Sequence, residues 1–482
     1  METTKKGDSM IAALQQFTPS ARKGTSPPLK QLNRMLRSVI AAAVFLAVLA
    51  PTASGAPPKV VKAIPDNGDT DVDSALKEIQ IEFNQDMQPD GFSVCGGGPE
   101  FPEVSEQPTW KTKRIFVIPV RLEPDHAYSF SINCPSATNF RNDANEPAEI
   151  YPISFHTASA GGKKAKRLTA KQNAAAIDKL RKAIDQAYSY RDMRKVNWAR
   201  QFKKYASKLR KANTPAEFAR TAAKLLRPAK DMHIWLQVGK TTFATFQRRF
   251  KPNYRLDLLP NVVPQWNEYN SAVSTGRFDD GVVYILIKTW GLADARDLEP
   301  AYAALTGASS DHGVIVDVRP NAGGAEPLAR EFAGCFVKEP VVYSKSAYRT
   351  KRKKSGFAKP AERIVEPNKS RPSFHGPVVV LTGKGVMSSC ESFVLMMRHG
   401  AKAALIGDTT FGSSGNPKPH DLGNGVMVML PSWKDMQPDG TLIEGRGIDP
   451  DVRVSIKKGD FKDTDPVLDA AREQLRRRTT GN

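Results

Sequence analysis

The chain has 482 residues, of which 40% are hydrophobic and 25% are charged, and its formal net charge is +21. This composition excludes a largely disordered chain, and the length is enough for about three domains of roughly 150 residues each. The charge is uneven, because Lys+Arg minus Asp+Glu is +5 for residues 1–55, −8 for 56–160, +17 for 161–230 and +7 for 231–482.

Residues 1–55 are predicted to be a secretory signal peptide with an extended N-terminus. The apolar run Ser38–Ala50 follows two arginines and precedes Ala53-Ser54-Gly55, which has the small residues of a cleavage site. The run is shorter than the about 20 residues that span a bilayer. Signal n-regions are usually short, so Met35 is a candidate for the true start. We expect cleavage and export to the periplasm or the cell exterior; an uncleaved membrane anchor is the alternative.

The chain has four cysteines, which can form disulfides if the protein is exported. Cys95 and Cys134 lie in one early segment, whereas Cys335 and Cys390 lie much later. We expect Cys95 to pair with Cys134, although spacing alone leaves the connectivity open.

Residues 56–158 are predicted to form an all-β sandwich. The runs Ile79–Phe83 and Tyr128–Ile132 alternate apolar with polar residues, as strands with one buried face do. Turn formers separate several such short runs, which is typical of a sandwich. The segment resembles bacterial Ig-like domains in Pro65-Asp-Asn-Gly-Asp-Thr-Asp-Val72 and in Phe83-Asn-Gln-Asp-Met87.

Residues 159–228 are predicted to be a flexible basic linker followed by helices. Ala176, Leu180, Ile184 and Tyr188 recur at a spacing of four residues and therefore share one helix face. A basic face could contact an anionic polymer of the cell surface, and residues 56–230 are the candidate region for this contact. A solvated face against the acidic preceding segment is the alternative, and export argues against nucleic acid as a partner.

Residues 229–482 are predicted to form an α/β core that ends in a C-terminal helix. Gly281–Ile287 and Gly313–Val318 are near-continuous apolar runs, as strands buried on both faces require. Helical patterns lie between the strands, so the chain as a whole is predicted to be multidomain, with a sandwich, a basic helical segment and an α/β core.

Ser388 is the candidate nucleophile of this core. It ends a glycine-bearing turn after the apolar run Val378–Leu381, and an apolar helical pattern follows it. Such a strand–turn–helix exposes a hydroxyl and directs a helix N-terminus at the group that the hydroxyl attacks. A plain helix N-cap at Ser388 or Ser389 is the alternative.

Three motifs of this segment resemble the tricorn-core and C-terminal-processing (tail-specific) serine proteases. They are Ser388-x-x-Glu391 with Ala403–Gly412 after it, the sequence Asp317-Val-Arg-Pro-Asn-Ala-Gly-Gly324, and Glu444 at the start of an E-G-x-G-I-x-P-D pattern. The resemblance implies a ClpP- or crotonase-like βαβ core and acyl transfer through Ser388. It also implies an oxyanion hole formed by an amide of Gly323 or Gly324 and the amide of Ser389.

The choice of base depends on the branch of this family. One branch uses a lysine in T-F-G-K-G, but this chain has Ser413 at that position. The tricorn-like branch uses the histidine of L-x-D-x-H, and the chain keeps the Asp-x-His spacing at His233, with departures at Ala229 and Met232. The resemblance therefore implies a Ser-His-Glu group with His233 as base and Glu444 as its carboxylate.

These patterns predict an exported serine endopeptidase that acts on polypeptides. A catalytically silent relative that binds a polypeptide or ligand, and a surface-adhesion protein, are the alternatives. Neither clustered Cys/His spacing nor a nucleotide-binding fingerprint occurs, so no metal or cofactor is expected. Whether the protein forms a homo-oligomer stays open.

Overall fold

A computed structural model describes residues 56–98, 100–134, 137–158, 167–239, 241–247, 249–350, 356–457 and 459–479. The predicted signal segment, residues 1–55, lies outside these ranges, as does most of the predicted basic linker. The chain divides into two compact units, Met1–Lys164 and Ala165–Asn482. Within the described ranges, no helix has both the length and the apolar character needed to cross a membrane.

The described residues of the first unit form two antiparallel sheets. Their strands are β1 (Val60–Ile64), β2 (Glu78–Phe83), β3 (Val94–Cys95), β4 (Glu103–Val104), β5 (Thr109–Thr112), β6 (Ile115–Arg121), β7 (Ala127–Ile132) and β8 (Tyr151–His156). One sheet has the order β1-β2-β6-β4, with β5 also paired to β6, and the other has the order β3-β7-β8.

The alternating pattern of this unit places its apolar residues in one core. In β2, Ile79, Ile81 and Phe83 are buried and the residues between them are less so. They belong to the same hydrophobic cluster as Phe130 of β7 and Phe155 of β8 in the other sheet. The two sheets therefore share a core, as the period-2 pattern predicts.

The disulfide predicted between Cys95 and Cys134 is confirmed. The two Cα atoms are 6.2 Å apart, and the bond links β3 to the segment that follows β7. Cys335 and Cys390 are free and buried in the second unit.

The second unit combines helices with three sheets. Its helices are α1 (Ala170–Gln186), α2 (Trp198–Arg210), α3 (Pro215–Leu226), α4 (Leu259–Val262), α5 (Glu299–Thr306), α6 (Glu326–Ala333), α7 (Ser389–His399) and α8 (Pro466–Thr479). Its strands are β9 (Trp235–Val238), β10 (Thr241–Ala244), β11 (Asn267–Glu268), β12 (Val273–Arg277), β13 (Val283–Ile287), β14 (Val314–Asp317), β15 (Val341–Tyr348), β16 (Ala361–Val365), β17 (Val378–Thr382), β18 (Ala404–Gly407), β19 (Pro417–Asp421), β20 (Met427–Pro431), β21 (Trp433–Met436) and β22 (Val452–Arg453).

Helices α1 to α3 share a core with the sheet β10-β9-β20-β19. Leu180, Phe202 and Phe218 of the helices are buried in one cluster with Leu236 of β9 and Val428 of β20. The boundary expected after residue 228 therefore does not separate two compact units. The amphipathic helices bury their apolar faces against the strands that follow them, and sequence patterns do not reveal such a partner.

A seven-stranded mixed sheet forms the centre of the unit, in the order β11-β12-β13-β14-β17-β18-β22. Within this sheet, β13, β14, β17, β18 and β22 run parallel to one another. Both faces of the sheet are covered. Val283 and Ile285 of β13 lie in the cluster that includes α5 to α7, whereas Tyr284 and Leu286 lie in the cluster that includes α8. The near-continuous apolar runs follow from this double burial.

The carboxyl ends of two central strands meet where the sequence motifs begin. Asp317 at the end of β14 is aligned with Leu381 of β17. The Asp317–Gly324 motif and the turn that leads to Ser388 therefore start at the same edge of the sheet. In open parallel sheets this edge is where ligands bind.

Candidate active site

Ser388 lies between β17 and α7 in an unfavourable backbone conformation. Its φ is 59° and its ψ is −129°. A residue with a side chain held in such a region costs on the order of 1–3 kcal/mol, which the surroundings must offset. The Ser388 N–H donates to the carbonyl oxygen of Ser413 at 2.9 Å, which helps to hold this turn. The conformation places the hydroxyl at the N-terminus of α7.

His233, just before β9, contacts Ser388 with one ring nitrogen and Ser413 with the other. Nε2 is 3.0 Å from Ser388 Oγ, and Nδ1 is 2.9 Å from Ser413 Oγ. The His233 backbone N–H donates to Asp231 Oδ1 at 2.9 Å. Burial lowers the pKa of His233, and the nearby carboxylates of Asp231 and Asp435 oppose this shift. A neutral ring protonated on Nδ1 can donate to Ser413 and accept the Ser388 proton on Nε2.

Glu444 lies in the same polar region but has a different contact from the one expected. Its Oε2 accepts the Ser414 N–H at 2.8 Å, and its Oε1 accepts from the guanidinium of Arg194. The group on His233 Nδ1 is instead the Ser413 hydroxyl. The expectation that Glu444 holds the imidazole directly is therefore corrected: the carboxylate holds the backbone next to Ser413. Burial raises the pKa of Glu444.

Sequence reasoning did not find the place of Ser413, which it noted only as the absence of a lysine. The available signal was the position of Ser413 in the sequence. One branch of the resembled family carries its catalytic lysine at this position, so a side chain there is expected to reach the active site. The sequence does not state which atom a hydroxyl would reach from this position.

Glu391 joins the turn at Ser388 to the loop that carries Ser413. Its carboxylate accepts from Thr410 Oγ1 at 2.6 Å, from the Gly412 N–H at 2.8 Å and from the Ser413 N–H at 2.9 Å. The Ser388 N–H is a further donor at 3.3 Å. Burial raises the pKa of Glu391 to about 7, although these hydrogen bonds favour the charged form. Glu391 therefore fixes the relative positions of the serine and of the group that holds the imidazole.

The glycines of the Asp317–Gly324 motif lie against Ser388 and its neighbours. A Cβ on Gly323 would lie 2.8 Å from Ser388 Cβ, and one on Gly324 would lie 2.1 Å from the Gly291 nitrogen. Their φ values are 103° and 137°, so both the space and the conformation require glycine. The Ser389 hydroxyl donates to the Gly324 carbonyl at 3.0 Å, which joins this turn to α7.

The two glycine amides are not equivalent. The Gly323 N–H donates to Asn321 Oδ1 at 2.9 Å and is therefore engaged. Within the described ranges, the amides of Gly324 and Ser389 donate to no protein acceptor. Of the expected oxyanion-hole residues, Gly324 and Ser389 thus retain available donors, whereas Gly323 contributes the close backbone approach.

The charged residues of the same motif have buried structural partners. Arg319 is fully buried and forms ion pairs with Asp317 at 2.6 Å and with Asp465 at 2.8 Å. Its Nη1 also donates to the Asn253 carbonyl at 2.9 Å. Across the described part of the chain, no group of three or more His, Cys, Asp or Glu is placed to hold a metal ion.

Comparisons with known proteins agree with the motifs. Residues 281–454 match peptidase family S41, and residues 177–226 match the tricorn protease C1 domain. The chain is 28% identical to the carboxy-terminal processing protease CtpB of Bacillus subtilis over 186 residues, which are 39% of this chain and 36% of that protein. It is 26% identical to carboxyl-terminal-processing peptidase 1 of Arabidopsis thaliana over 228 residues, 47% of this chain and 39% of that protein. The chain thus matches less than half of the length of these curated relatives.

A solved structure shares the fold. The crystal structure of a candidate peptidase from Parabacteroides merdae has a TM-score of 0.54 and 23% sequence identity, and the match covers 64% of this chain and 97% of that one. The resemblance predicted from the motifs is confirmed by the family models and the sequence relatives. Residues 281–454 are thus similar to peptidase family S41, and residues 177–226 ahead of them are similar to the tricorn protease C1 domain.

Proposed function

We propose that the protein is an exported serine endopeptidase that forms an acyl-enzyme on Ser388. The observation that carries this proposal is the 3.0 Å contact between His233 Nε2 and Ser388 Oγ, with the opposite ring nitrogen held by Ser413. A serine hydroxyl is a weak nucleophile unless a base lies within hydrogen-bond reach. The match of residues 281–454 to peptidase family S41 independently supports a serine peptidase.

In the proposed reaction, the neutral imidazole of His233 takes the hydroxyl proton while Ser388 Oγ attacks the peptide carbonyl. The imidazolium then protonates the leaving amine, and the C–N bond breaks to give the acyl-enzyme. A water molecule, deprotonated by the same imidazole, hydrolyses the ester and regenerates Ser388. Since Ser413 accepts from Nδ1, it fixes the tautomer that leaves Nε2 able to accept.

The amides of Gly324 and Ser389 are the proposed donors to the oxyanion. Preorganised backbone donors stabilise the charge that develops on the carbonyl oxygen, and the N-terminus of α7 adds to the positive potential. Gly323 brings the backbone against Ser388, while Glu391 and Glu444 hold the loop of Ser413 in place.

Labelling with a fluorophosphonate probe tests this function, because only an activated serine reacts. We expect wild type to be labelled on Ser388, Ser388→Ala not to be labelled, and His233→Ala to react far more slowly. Ser370→Ala removes an exposed serine and is the matched control, which should label as wild type does. Labelling of Ser388→Ala at the wild-type rate would exclude the nucleophile. A folded wild type that resists both labelling and turnover would favour the silent relative.

Export and an Ig-like first unit belong to the same proposal. The Cys95–Cys134 disulfide supports an oxidising compartment, and the two-sheet architecture of residues 56–158 supports an Ig-like module. N-terminal sequencing of the exported protein should give Ala56 as its first residue. A mature chain that starts earlier would contradict cleavage at this site.

A second function, contact with an anionic cell-surface polymer, is favoured by the surface of α2. This helix contains no acidic residue, and Arg200, Lys203, Lys204 and Lys208 are all exposed. Such a face attracts polyanions in a salt-dependent way. We expect retention on dextran sulfate but not on neutral dextran, and weaker retention when Lys204 and Lys208 are changed to glutamate. Lys418→Glu, on exposed β19, is the control; equal retention of all variants would exclude the α2 face.

A further inference from the structure

Arg194 reaches the candidate active site from the segment between α1 and α2. Its guanidinium pairs with Glu444, and Nη2 lies 3.8 Å from Asp231 Oδ2. Its side chain is 17% exposed, whereas those of Asp231 and Glu444 are at most 1% exposed. Tyr188, from the same segment as Arg194, donates its hydroxyl to Asp231 Oδ2 at 2.8 Å. The Arg194 guanidinium is therefore the shared counter-charge of two buried carboxyl groups, those of Asp231 and Glu444.

Each of these carboxylates supports one side of the imidazole. Asp231 accepts the backbone N–H of His233, and Glu444 accepts the N–H of Ser414, the neighbour of the residue on Nδ1. Two buried carboxylates repel each other, and without a counter-charge between them this repulsion favours movement of one away from the other. Such a movement would loosen a support of His233.

From these contacts we propose that Arg194 is a positioning residue for His233, supplied by the helical segment that precedes the S41 domain. Its guanidinium holds the carboxyl groups of Asp231 and Glu444 in their hydrogen-bonding positions and so fixes both the backbone and the ring of the base. The inference rests on the proposed function in its kinetic consequence, but the placement of the ring can be measured without turnover.

The contact also gives the helical segment a role beyond packing. Arg194 and Glu444 are 250 residues apart in sequence, so the site is complete only when α1 and α2 are docked on the sheet that contains β9. Displacing this segment would remove the counter-charge without touching Ser388, His233 or the glycine turn.

The test compares Arg194→Met and Arg194→Lys with wild type. Arg191→Met is the matched control, because Arg191 lies in the same segment and, among the residues that the structure describes, pairs with the partly exposed Asp185 and Asp192 alone. NMR titration of the His233 ring follows the electrostatic effect in the Ser388→Ala background, where no turnover is needed. Further ionisable groups of this polar cluster are Asp435 on β21, which pairs with Arg363 of β16, and Glu391 on α7.

For Arg194→Met we expect the pKa of His233 to rise, because two carboxylates lose their counter-charge while the imidazolium gains from them. In the active enzyme, kcat should fall by about 10- to 100-fold, as small misplacements of a catalytic group do, with little change in KM. Arg194→Lys should recover part of both effects, and Arg191→Met should match wild type. The proposal is overturned if Arg194→Met and Arg191→Met give the same His233 titration and the same kcat.

Two further outcomes are decided by added variants. If Arg194→Met does not fold, the double variant Arg194→Met/Glu444→Gln removes one of the two repelling groups and should restore folding. Failure to do so, with Arg194→Lys also unable to fold, would show a role in packing alone and refute the proposal. If wild type neither labels nor hydrolyses peptides, yet His233 shifts in Arg194→Met, the peptidase proposal fails and the placement of the ring by Arg194 stands.

Discussion

Replacing Ser413 with alanine tests how the imidazole is oriented. Ser413 Oγ lies 2.9 Å from His233 Nδ1, and His233 is only 6% exposed, so alanine leaves a buried N–H without an acceptor. An unsatisfied buried donor costs about 1–3 kcal/mol. The ring can avoid this cost by changing its tautomer or by turning, and either change removes the base from Ser388. At about 1.4 kcal/mol per factor of ten, kcat should fall by roughly 5- to 150-fold.

The assay measures kcat and KM on a quenched fluorescent protein substrate, together with the rate of fluorophosphonate labelling. Both rates should fall in Ser413→Ala, with KM nearly unchanged, because no contact with substrate is removed. Ser413→Thr keeps a hydroxyl and should retain more activity. Ser414→Ala serves as a comparison within the same loop, since its hydroxyl donates to Asp435 and not to the imidazole. A stable Ser413→Ala enzyme with wild-type kcat, or equal losses in Ser413→Ala and Ser413→Thr, would refute this reasoning.

The remaining predictions concern protonation and stability. Burial lowers the pKa of His233 from 6.5, so the imidazole stays neutral in mild acid. The acid-side midpoint of the kcat/KM profile should therefore lie below pH 6.5. A midpoint above pH 6.5 would contradict a buried base. The same shift stabilises the fold above pH 6.5 and is lost as the pH falls through the lowered pKa. Arg319→Met breaks a buried ion pair and should lower the free energy of unfolding by roughly 3–5 kcal/mol in urea titrations, whereas the exposed Arg296→Met should show no measurable loss. Replacing both Cys95 and Cys134 with alanine opens a loop with a sequence separation of 39 and should destabilise the first unit by about 4 kcal/mol, after which a reductant should have no further effect on that unit.

Local patterns predicted the parts of the fold that depend on local burial. The alternation in Ile79–Phe83 predicts a strand with one buried face, and the continuous run at 281–287 predicts a strand buried on both, because these periods follow from the geometry of the strand itself. Local patterns did not reveal that the domain boundary expected after residue 228 lies inside one compact unit. The apolar faces of α1 to α3 show that a partner exists, but only the tertiary structure shows that it includes β9 and β20.

The candidate site likewise has residues that the sequence predicted and contacts that it did not. The motifs singled out Ser388 and His233, and the structure brings these side chains to 3.0 Å. The identity of the group on Nδ1 was not predictable, because a hydroxyl at 413 reaches the ring only through the path of a loop fixed by Glu391. The place of Arg194 was likewise hidden, since among the many basic residues of its segment nothing in the sequence distinguishes one that turns inward.

The backbone of Ser388 has a consequence for how this protein could change over time. A φ of 59° is tolerated by glycine at little cost, so Ser388→Gly should raise thermal stability relative to Ser388→Ala, which keeps the strain. The wild-type chain thus has a strained backbone at residue 388 and carries there a hydroxyl that glycine lacks. Under the proposed peptidase function, stability and activity therefore oppose each other at this residue: glycine should give the more stable chain and removes the hydroxyl that would form the acyl-enzyme.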